Sequence, residues 1–148
     1  MSRATRVLEA HHKHCDEAFA DAEEAVAKGR WADAAGAQAL FHGEMEKHFQ
    51  TEESVLFPAY EAATGENGGP TAVMRQEHAQ MRGLMEAMSV AARARDGNGY
   101  AGNAETLLIM MQQHNMKEEN ILYPMCDQHL AGETPELLAR LETELAEE

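Results

Sequence analysis

Two eleven-residue segments repeat one pattern that combines a histidine with two glutamates. They run from His48 to Pro58 and from His114 to Pro124, and both follow H-x-x-x-E-E-x-[V/I]-L-[F/Y]-P at an offset of 66 residues. The same offset carries His12 onto His78. A histidine and a glutamate four positions apart lie about 6 Å apart on one side of an α-helix. Such a pair can bind one metal ion or two adjacent ions.

Helical spacing separates the inward histidines from the remaining ones. Each of four amphipathic stripes carries one histidine, and two of the stripes add a glutamate four residues later. A buried carboxylate without a partner costs several kcal/mol, and two at one level repel each other, so a pair of cations removes both penalties. Imidazole and carboxylate without thiolate suit iron or manganese, with zinc as an alternative. The predicted ligands are His12, His48, Glu52, His78, His114 and Glu118.

Each element of this pattern has an ordinary structural interpretation when it stands alone. A lone inward histidine is more often a hydrogen-bonded core residue, and a lone H-x-x-x-E is more often a surface ion pair. The metal interpretation depends on six such residues recurring together at one repeat offset. The repeat also predicts two helical hairpins related by a pseudo-twofold axis.

These residues resemble the hemerythrin-like, or HHE cation-binding, family. The resemblance extends from about Val7 to Leu130 and includes the stretch from Glu77 to Arg82. It implies a four-helix bundle around two iron ions in an oxo- or hydroxo-bridged di-iron centre. The histidine ligands of the family fall on the four histidines named above, and its bridging carboxylates fall on Glu52 and Glu118.

The chain departs from the oxygen-carrying members of that family in two places. Arg82 stands where those proteins have a second histidine on the third helix, and Glu118 lies four rather than five residues after His114, with Glu119 as the alternative ligand. The resulting site is more open than oxygen carriage requires. We therefore expect a protein that binds O2 or a related small ligand such as NO, as carrier, store or sensor. The alternatives are a redox enzyme acting on peroxide or nitric oxide, an iron-binding or iron-sensing protein, and a metal-free interaction module.

Six further residues are candidates for supporting roles. The repeat relates Asp16 to Arg82, and we expect these two to pair across the pseudo-axis or to orient ligand histidines, with a surface role left open. Glu44 precedes His48 by four residues and could approach the metals. Packing is the favoured role of the three tyrosines, although each is also a candidate for a phenol near the site: Tyr60, Tyr100 and Tyr123.

The elements that must position these residues are helices. Alanine, methionine, leucine and glutamate are abundant and prolines number four, which predicts an all-α fold. We expect one domain over residues 1–148: an antiparallel up-down four-helix bundle over about 2–130 and a short C-terminal helix over about 135–147. The predicted long helices are 2–28, 31–63, 70–95 and 102–130, and Pro58 and Pro124 should kink or end theirs. The tail helix could cap the bundle or form a homo-oligomer contact.

Charge and cysteine content limit the partners and the compartment. The formal net charge of −14 disfavours binding to nucleic acid or to anionic membranes. Two cysteines, Cys15 and Cys126, give no disulfide framework. The first residues contain no apolar stretch of signal-peptide length, and no window approaches a membrane span. These features predict a cytoplasmic protein that uses no membrane.

Overall fold

The computed structural model describes residues 3–66 and 68–146, and this part of the chain is helical almost throughout. The all-α prediction is therefore confirmed. Two five-residue π segments, Glu52–Leu56 and Glu118–Leu122, interrupt the α-helical paths, and a 3-10 turn, Ala131–Glu133, precedes the last helix. Three residues that bear on the predicted helices lie outside the described ones: Ser2 and Glu147, at the predicted outer limits of the helices, and Asn67, between the second and third predicted helices. The helices are α1 (Arg3–Ala27), α2 (Trp31–Thr51), α3 (Phe57–Thr64), α4 (Pro70–Arg93), α5 (Gly97–Lys117), α6 (Tyr123–His129) and α7 (Thr134–Ala146).

Left-handed residues end three of the helices close to the predicted positions. Gly29 follows α1 with φ 69°, and Gly65 caps α3 with φ 74°, conformations that glycine adopts without a steric penalty. Arg95, at φ 56°, ends the α4 region. The predicted start of the fourth long helix at residue 102 is wrong, because α5 begins at Gly97. The Asp96 side chain caps it by accepting a hydrogen bond from the Gly99 backbone N–H at 2.9 Å.

Pro58 and Pro124, which were predicted to kink or end their helices, each lie just after a π segment. The backbone N–H of Phe57 donates to the Glu52 carbonyl, and that of Tyr123 donates to the Glu118 carbonyl, each five residues back. Pro58 and Pro124 follow directly, and the helical path continues past both. A proline inside an α-helix lacks the N–H and clashes with the carbonyl four residues earlier. The wider π turn lets the chain continue as a helix.

The second π segment also changes which side chains face inward. Ile121, which the α-helical spacing predicts in the core, is 55% exposed, and its neighbour Leu122 is 2% exposed. A π turn contains about one more residue than an α turn, so the residues that follow rotate around the axis. The α-helical spacing therefore predicts Glu118 correctly and fails three residues later.

Each of the four long helices, α1, α2, α4 and α5, packs against two of the others. Helix α1 packs against α2, α4 against α5, α2 against α4, and α1 against α5. A methionine-rich core fills the interior on one side of the ligand histidines, with Phe19 and Phe41 in edge-to-face contact. Helix α7 packs against α1, α2 and the first π segment, where it buries Leu137 and Leu141. The tail helix was predicted either to cap the bundle or to form a homo-oligomer contact, and its contacts with α1 and α2 agree with the first of these roles. None of the described helices is long and apolar enough to cross a membrane.

Candidate metal centre

The structure brings all six predicted ligands together in the interior. Helices α1, α2, α4 and α5 each contribute one histidine, and the first residue of each π segment contributes the glutamate. None of the six is more than 5% exposed, and both glutamates are fully buried. The six are His12, His48, Glu52, His78, His114 and Glu118.

Their donor atoms form two groups that share both carboxylates. We call His12, His48, Glu52 and Glu118 the first cation group, and Glu52, His78, His114 and Glu118 the second cation group. Within each group the ligand atoms lie within 4.8 Å of one another. We call α1 to α3 the first hairpin and α4 to α6 the second hairpin. Each cation group takes both of its imidazoles from one hairpin, and each hairpin contributes one of the two shared carboxylates. This arrangement suits two adjacent cations bridged by two carboxylates.

All four histidines direct Nε2 toward the shared carboxylates. His12 Nε2 lies 3.0 Å from Glu118 Oε1, and His78 Nε2 lies 3.1 Å from Glu52 Oε1. The within-helix pairs are slightly longer, with 3.5 Å from His48 Nε2 to Glu52 Oε2 and 3.4 Å from His114 Nε2 to Glu118 Oε2. One nitrogen of each ring is thus available to a cation, and the other is held from outside.

The opposite ring nitrogens bind a second set of side chains. The Nδ1 atoms of three histidines lie 2.7 to 2.8 Å from carboxylates: His12 from Glu119, His78 from Glu53 and His114 from Glu77. The exception is His48, whose Nδ1 lies 2.9 Å from the Nδ1 of His11. A carboxylate at this position fixes the ring orientation and raises the basicity of the metal-binding nitrogen.

The side chains that contact the Nδ1 atoms are also related by the internal repeat, although helical spacing did not predict their role. The 66-residue offset relates Glu53 to Glu119 and His11 to Glu77. The second glutamate of each E-E pair was visible in the motif. Glu77 and His11 each directly precede a ligand histidine, which is the only local signal for them. Glu119, which the sequence offered as an alternative ligand, instead contacts His12 from outside.

Of the two supporting roles predicted for Arg82, pairing with Asp16 is wrong, whereas orienting a ligand histidine agrees with its contacts. Arg82 does not pair with Asp16; its guanidinium donates to Glu46 and, at 2.9 and 3.0 Å, to both oxygens of Glu53. It therefore holds the carboxylate that contacts His78. Asp16 is exposed and lines a groove between α1 and α5 that reaches His12.

Glu44 lies away from both cation groups. Its carboxylate contacts His14 Nε2 at 2.8 Å and Lys47 Nζ at 3.2 Å. The side chain of Glu44 lies four residues before His48, but these two partners hold it near the surface. The possibility that Glu44 approaches the metals is not realised, because Glu44 belongs to neither cation group.

Tyr123 lies at the centre of the site, so the prediction of a packing role is wrong for this residue. Its Oη donates to Glu52 Oε2 at 2.6 Å and to Glu118 Oε1 at 3.1 Å. The same oxygen is 3.4 Å from the Nε2 atoms of His12 and His48. Phe57 is the counterpart of Tyr123 in the repeat, and its ring packs against His78 with 5.8 Å between centroids. Among the residues that the structure describes, the phenol therefore lies beside the first cation group and not beside the second.

Without a cation, the buried histidines and glutamates stabilise each other's charged forms, and this shifts their pKa values. Burial lowers the pKa of His12, but the hydrogen bond and the negative charge of Glu118 outweigh it and raise that pKa to about 9. Burial also lowers the pKa of His114, but the negative charge of Glu118 outweighs it and raises that pKa to about 9. Burial raises the pKa of Glu52, yet the facing His48 holds it well below its usual range. Cations that bind here displace these protons.

Four ligand atoms show that hydrogen bonding alone does not satisfy the site. Among the described residues, no hydrogen-bond partner with acceptable geometry exists for His78 Nε2, His114 Nε2, Glu52 Oε1 or Glu118 Oε2. Every one of these buried atoms belongs to the second cation group. A buried polar atom without a partner costs about 1–3 kcal/mol. The donor set fits metal cations, which would satisfy all four atoms at once.

Aromatic side chains enclose the second cation group. The Phe49 ring stacks on His78 with centroids 4.0 Å apart, and the Arg82 guanidinium lies over the Phe49 ring at 5.3 Å from its centroid. His78 is fully buried as a result. The first cation group is closer to solvent, because the groove between α1 and α5 reaches His12.

The helical fold and these two donor groups together define a helical protein with a buried cation site. A family model described as the hemerythrin HHE cation binding domain matches residues 3–126. The match covers most of the chain, so the chain belongs to this family, and the resemblance seen in the motifs is confirmed. Comparisons with curated proteins and with solved structures found no match. Helix α7 lies beyond the matched residues.

Proposed function

We propose that this protein holds two iron ions and uses them to bind O2 or a related small ligand such as NO, as a carrier, store or sensor. The observation that supports this most directly is the pair of buried donor groups that share Glu52 and Glu118. Two cations in one protein interior need bridging carboxylates, because these reduce the repulsion between the two positive charges.

The donor chemistry favours iron over softer metals. Four imidazoles and two carboxylates contribute to the two groups, and neither group includes a cysteine. Cys15 is buried nearby, but its sulfur faces His11 Nδ1 at 3.7 Å. When bound, two iron ions supply the electrons and the exchangeable coordination positions that a diatomic ligand requires.

The residues of the chain would orient the ligands and keep bulk water out. Glu119, Glu53 and Glu77 accept from the Nδ1–H of their histidines and so leave Nε2 for the cation. Phe49 and Phe57 cover His78. The groove at His12 provides the route by which a small molecule reaches the first cation group.

We also infer the finer arrangement of the fold from the helix contacts. The four long helical paths are α1, α2 with α3, α4, and α5 with α6. Short connections between consecutive paths favour antiparallel neighbours, which gives an up-down four-helix bundle in one domain with α7 across one end.

A redox enzyme acting on peroxide or nitric oxide is the second candidate. Six ligand residues, of which only the two glutamates are shared, do not complete two octahedral coordination shells, so each cation would keep positions that a substrate can take. Iron storage or sensing follows from the same site without any reaction. The unsatisfied ligand atoms count against a metal-free interaction module.

Metal analysis after reconstitution with Fe²⁺ under anaerobic conditions tests the proposal. We expect about two iron ions per chain, as in other di-iron helical bundles. His78→Ala should leave about one iron or fewer. His14→Ala is the matched control, because that histidine is exposed and contacts Glu44 rather than the donor groups. Wild-type protein without iron, or His78→Ala with two irons, would contradict the proposal.

Rapid mixing of the reduced protein with air separates the two candidate functions. A binding protein should give an oxygenated absorption spectrum that reverses under vacuum. A redox enzyme should oxidise irreversibly or turn over added peroxide or NO. An iron-storage or iron-sensing protein should bind two irons and show neither behaviour.

A further inference from the structure

Tyr123 occupies a position that its neighbours make chemically unusual. Its hydroxyl oxygen lies 2.6 to 3.4 Å from Glu52 Oε2, Glu118 Oε1 and the Nε2 atoms of two histidines, His12 and His48. These four residues are the whole first cation group. A cation held by the group must therefore lie beside the phenolic oxygen.

The structure leaves this side chain little freedom to move away. Tyr123 is fully buried, and its ring stacks on the His12 ring with centroids 5.8 Å apart and planes 16° from parallel. Its backbone is fixed by the hydrogen bond to the Glu118 carbonyl that closes the π segment. The hydroxyl thus remains next to the donor atoms when a cation enters.

We propose that the Tyr123 oxygen is a further ligand of the cation held by the first cation group. The inference depends on the proposed di-iron site. On binding as phenolate, the oxygen loses its proton to solvent as the O–H bond breaks and an oxygen–cation bond forms. Phenolate is a hard anionic donor that iron accepts in proteins.

The internal repeat makes the two cations different as a consequence. Phe57 takes the position of Tyr123 in the other half, where it packs on His78 and offers no oxygen. The first cation group then has five donor residues and the second has four. The first iron gains a negative ligand, which favours its ferric form.

Optical and resonance Raman spectra of the ferric, iron-loaded protein test this assignment. Tyrosinate bound to Fe³⁺ gives a visible charge-transfer band and enhances tyrosinate vibrations. We expect both signals in the wild-type protein and their complete loss in Tyr123→Phe. In the double variant Tyr123→Phe/Phe57→Tyr, the signals should return because the hydroxyl moves to the second cation group.

Tyr60→Phe is the control, because Tyr60 is equally buried but its ring contacts His129. This variant should keep both signals. Two irons in the wild-type protein without tyrosinate signals would overturn the role of Tyr123 and leave the di-iron proposal intact. Loss of the signals in Tyr60→Phe would also overturn it. Absence of iron would instead refute the proposed function. The wild-type spectrum decides the question even where Tyr123→Phe does not fold.

Discussion

The contact between Glu53 and His78 allows a quantitative test of how the outer carboxylates support the metal site. Glu53 accepts from His78 Nδ1 at 2.8 Å, and Arg82 holds both of its oxygens. Removing such a partner of a metal-binding histidine costs about 10- to 100-fold in metal affinity. Each tenfold change corresponds to about 1.4 kcal/mol.

Two substitutions of Glu53 should span this range. Glu53→Gln retains a hydrogen-bond acceptor and loses the charge, so we expect about a tenfold loss. Glu53→Leu removes both and should approach a 100-fold loss. Anaerobic competition for Fe²⁺ between the protein and a coloured chelator measures the affinity. The weakened ion should be the one in the second cation group, since His78 is the histidine affected.

Glu46→Gln is the matched control for this experiment. Glu46 also accepts from Arg82 but contacts none of the ligand histidines. Its replacement should change the affinity by less than about threefold, because a partly exposed ion pair contributes little. Wild-type affinity in both Glu53 variants would refute the reasoning. An equal loss in Glu46→Gln would show that Arg82, rather than the carboxylate at His78, determines the affinity.

Three further predictions concern stability and loading. Removing the metal with a chelator should lower the melting temperature measured by calorimetry by about 10 °C. The reason is that an ion present at about 1,000 times its Kd stabilises the folded state by about 4 kcal/mol. An unchanged melting temperature would contradict this. Glu118→Ala should bind less than about one metal ion per chain, as measured by elemental analysis, because both cation groups share this carboxylate. Two retained ions would refute the bridging role. Leu141→Ala should cost about 2–5 kcal/mol in denaturant unfolding, because this residue of α7 is fully buried, whereas Leu138→Ala should cost less, because Leu138 is only partly buried. Equal costs would contradict the packing of α7.

The ligand residues could be predicted from the sequence because helical spacing alone determines which side of a helix they share. Residues such as His12 and Phe19 keep one face of α1 over its whole length, and both are buried. The 66-residue repeat supported the prediction, because the histidine and glutamate spacing occurs twice in the chain. The candidate ligands therefore needed no knowledge of the contacts between helices.

The outer contacts could not be predicted, because they depend on rotamers and on the distance between helices. The repeat suggested Asp16 as the partner of Arg82, but the packing of α4 against α2 brings Glu46 and Glu53 to Arg82 instead. The orientation of Tyr123 depends on the second π segment, which the α-helical spacing does not represent. The same segment moved Ile121 to the surface.

The even division of the donor atoms between the two hairpins has a consequence for assembly. Each hairpin contributes two imidazoles and one carboxylate, and each cation group borrows a carboxylate from the other hairpin. Bound cations would therefore cross-link the hairpins. If the connection between α3 and α4 were cut, the two resulting polypeptides should reassociate far more tightly with metal than without it, so metal occupancy would report their complementation.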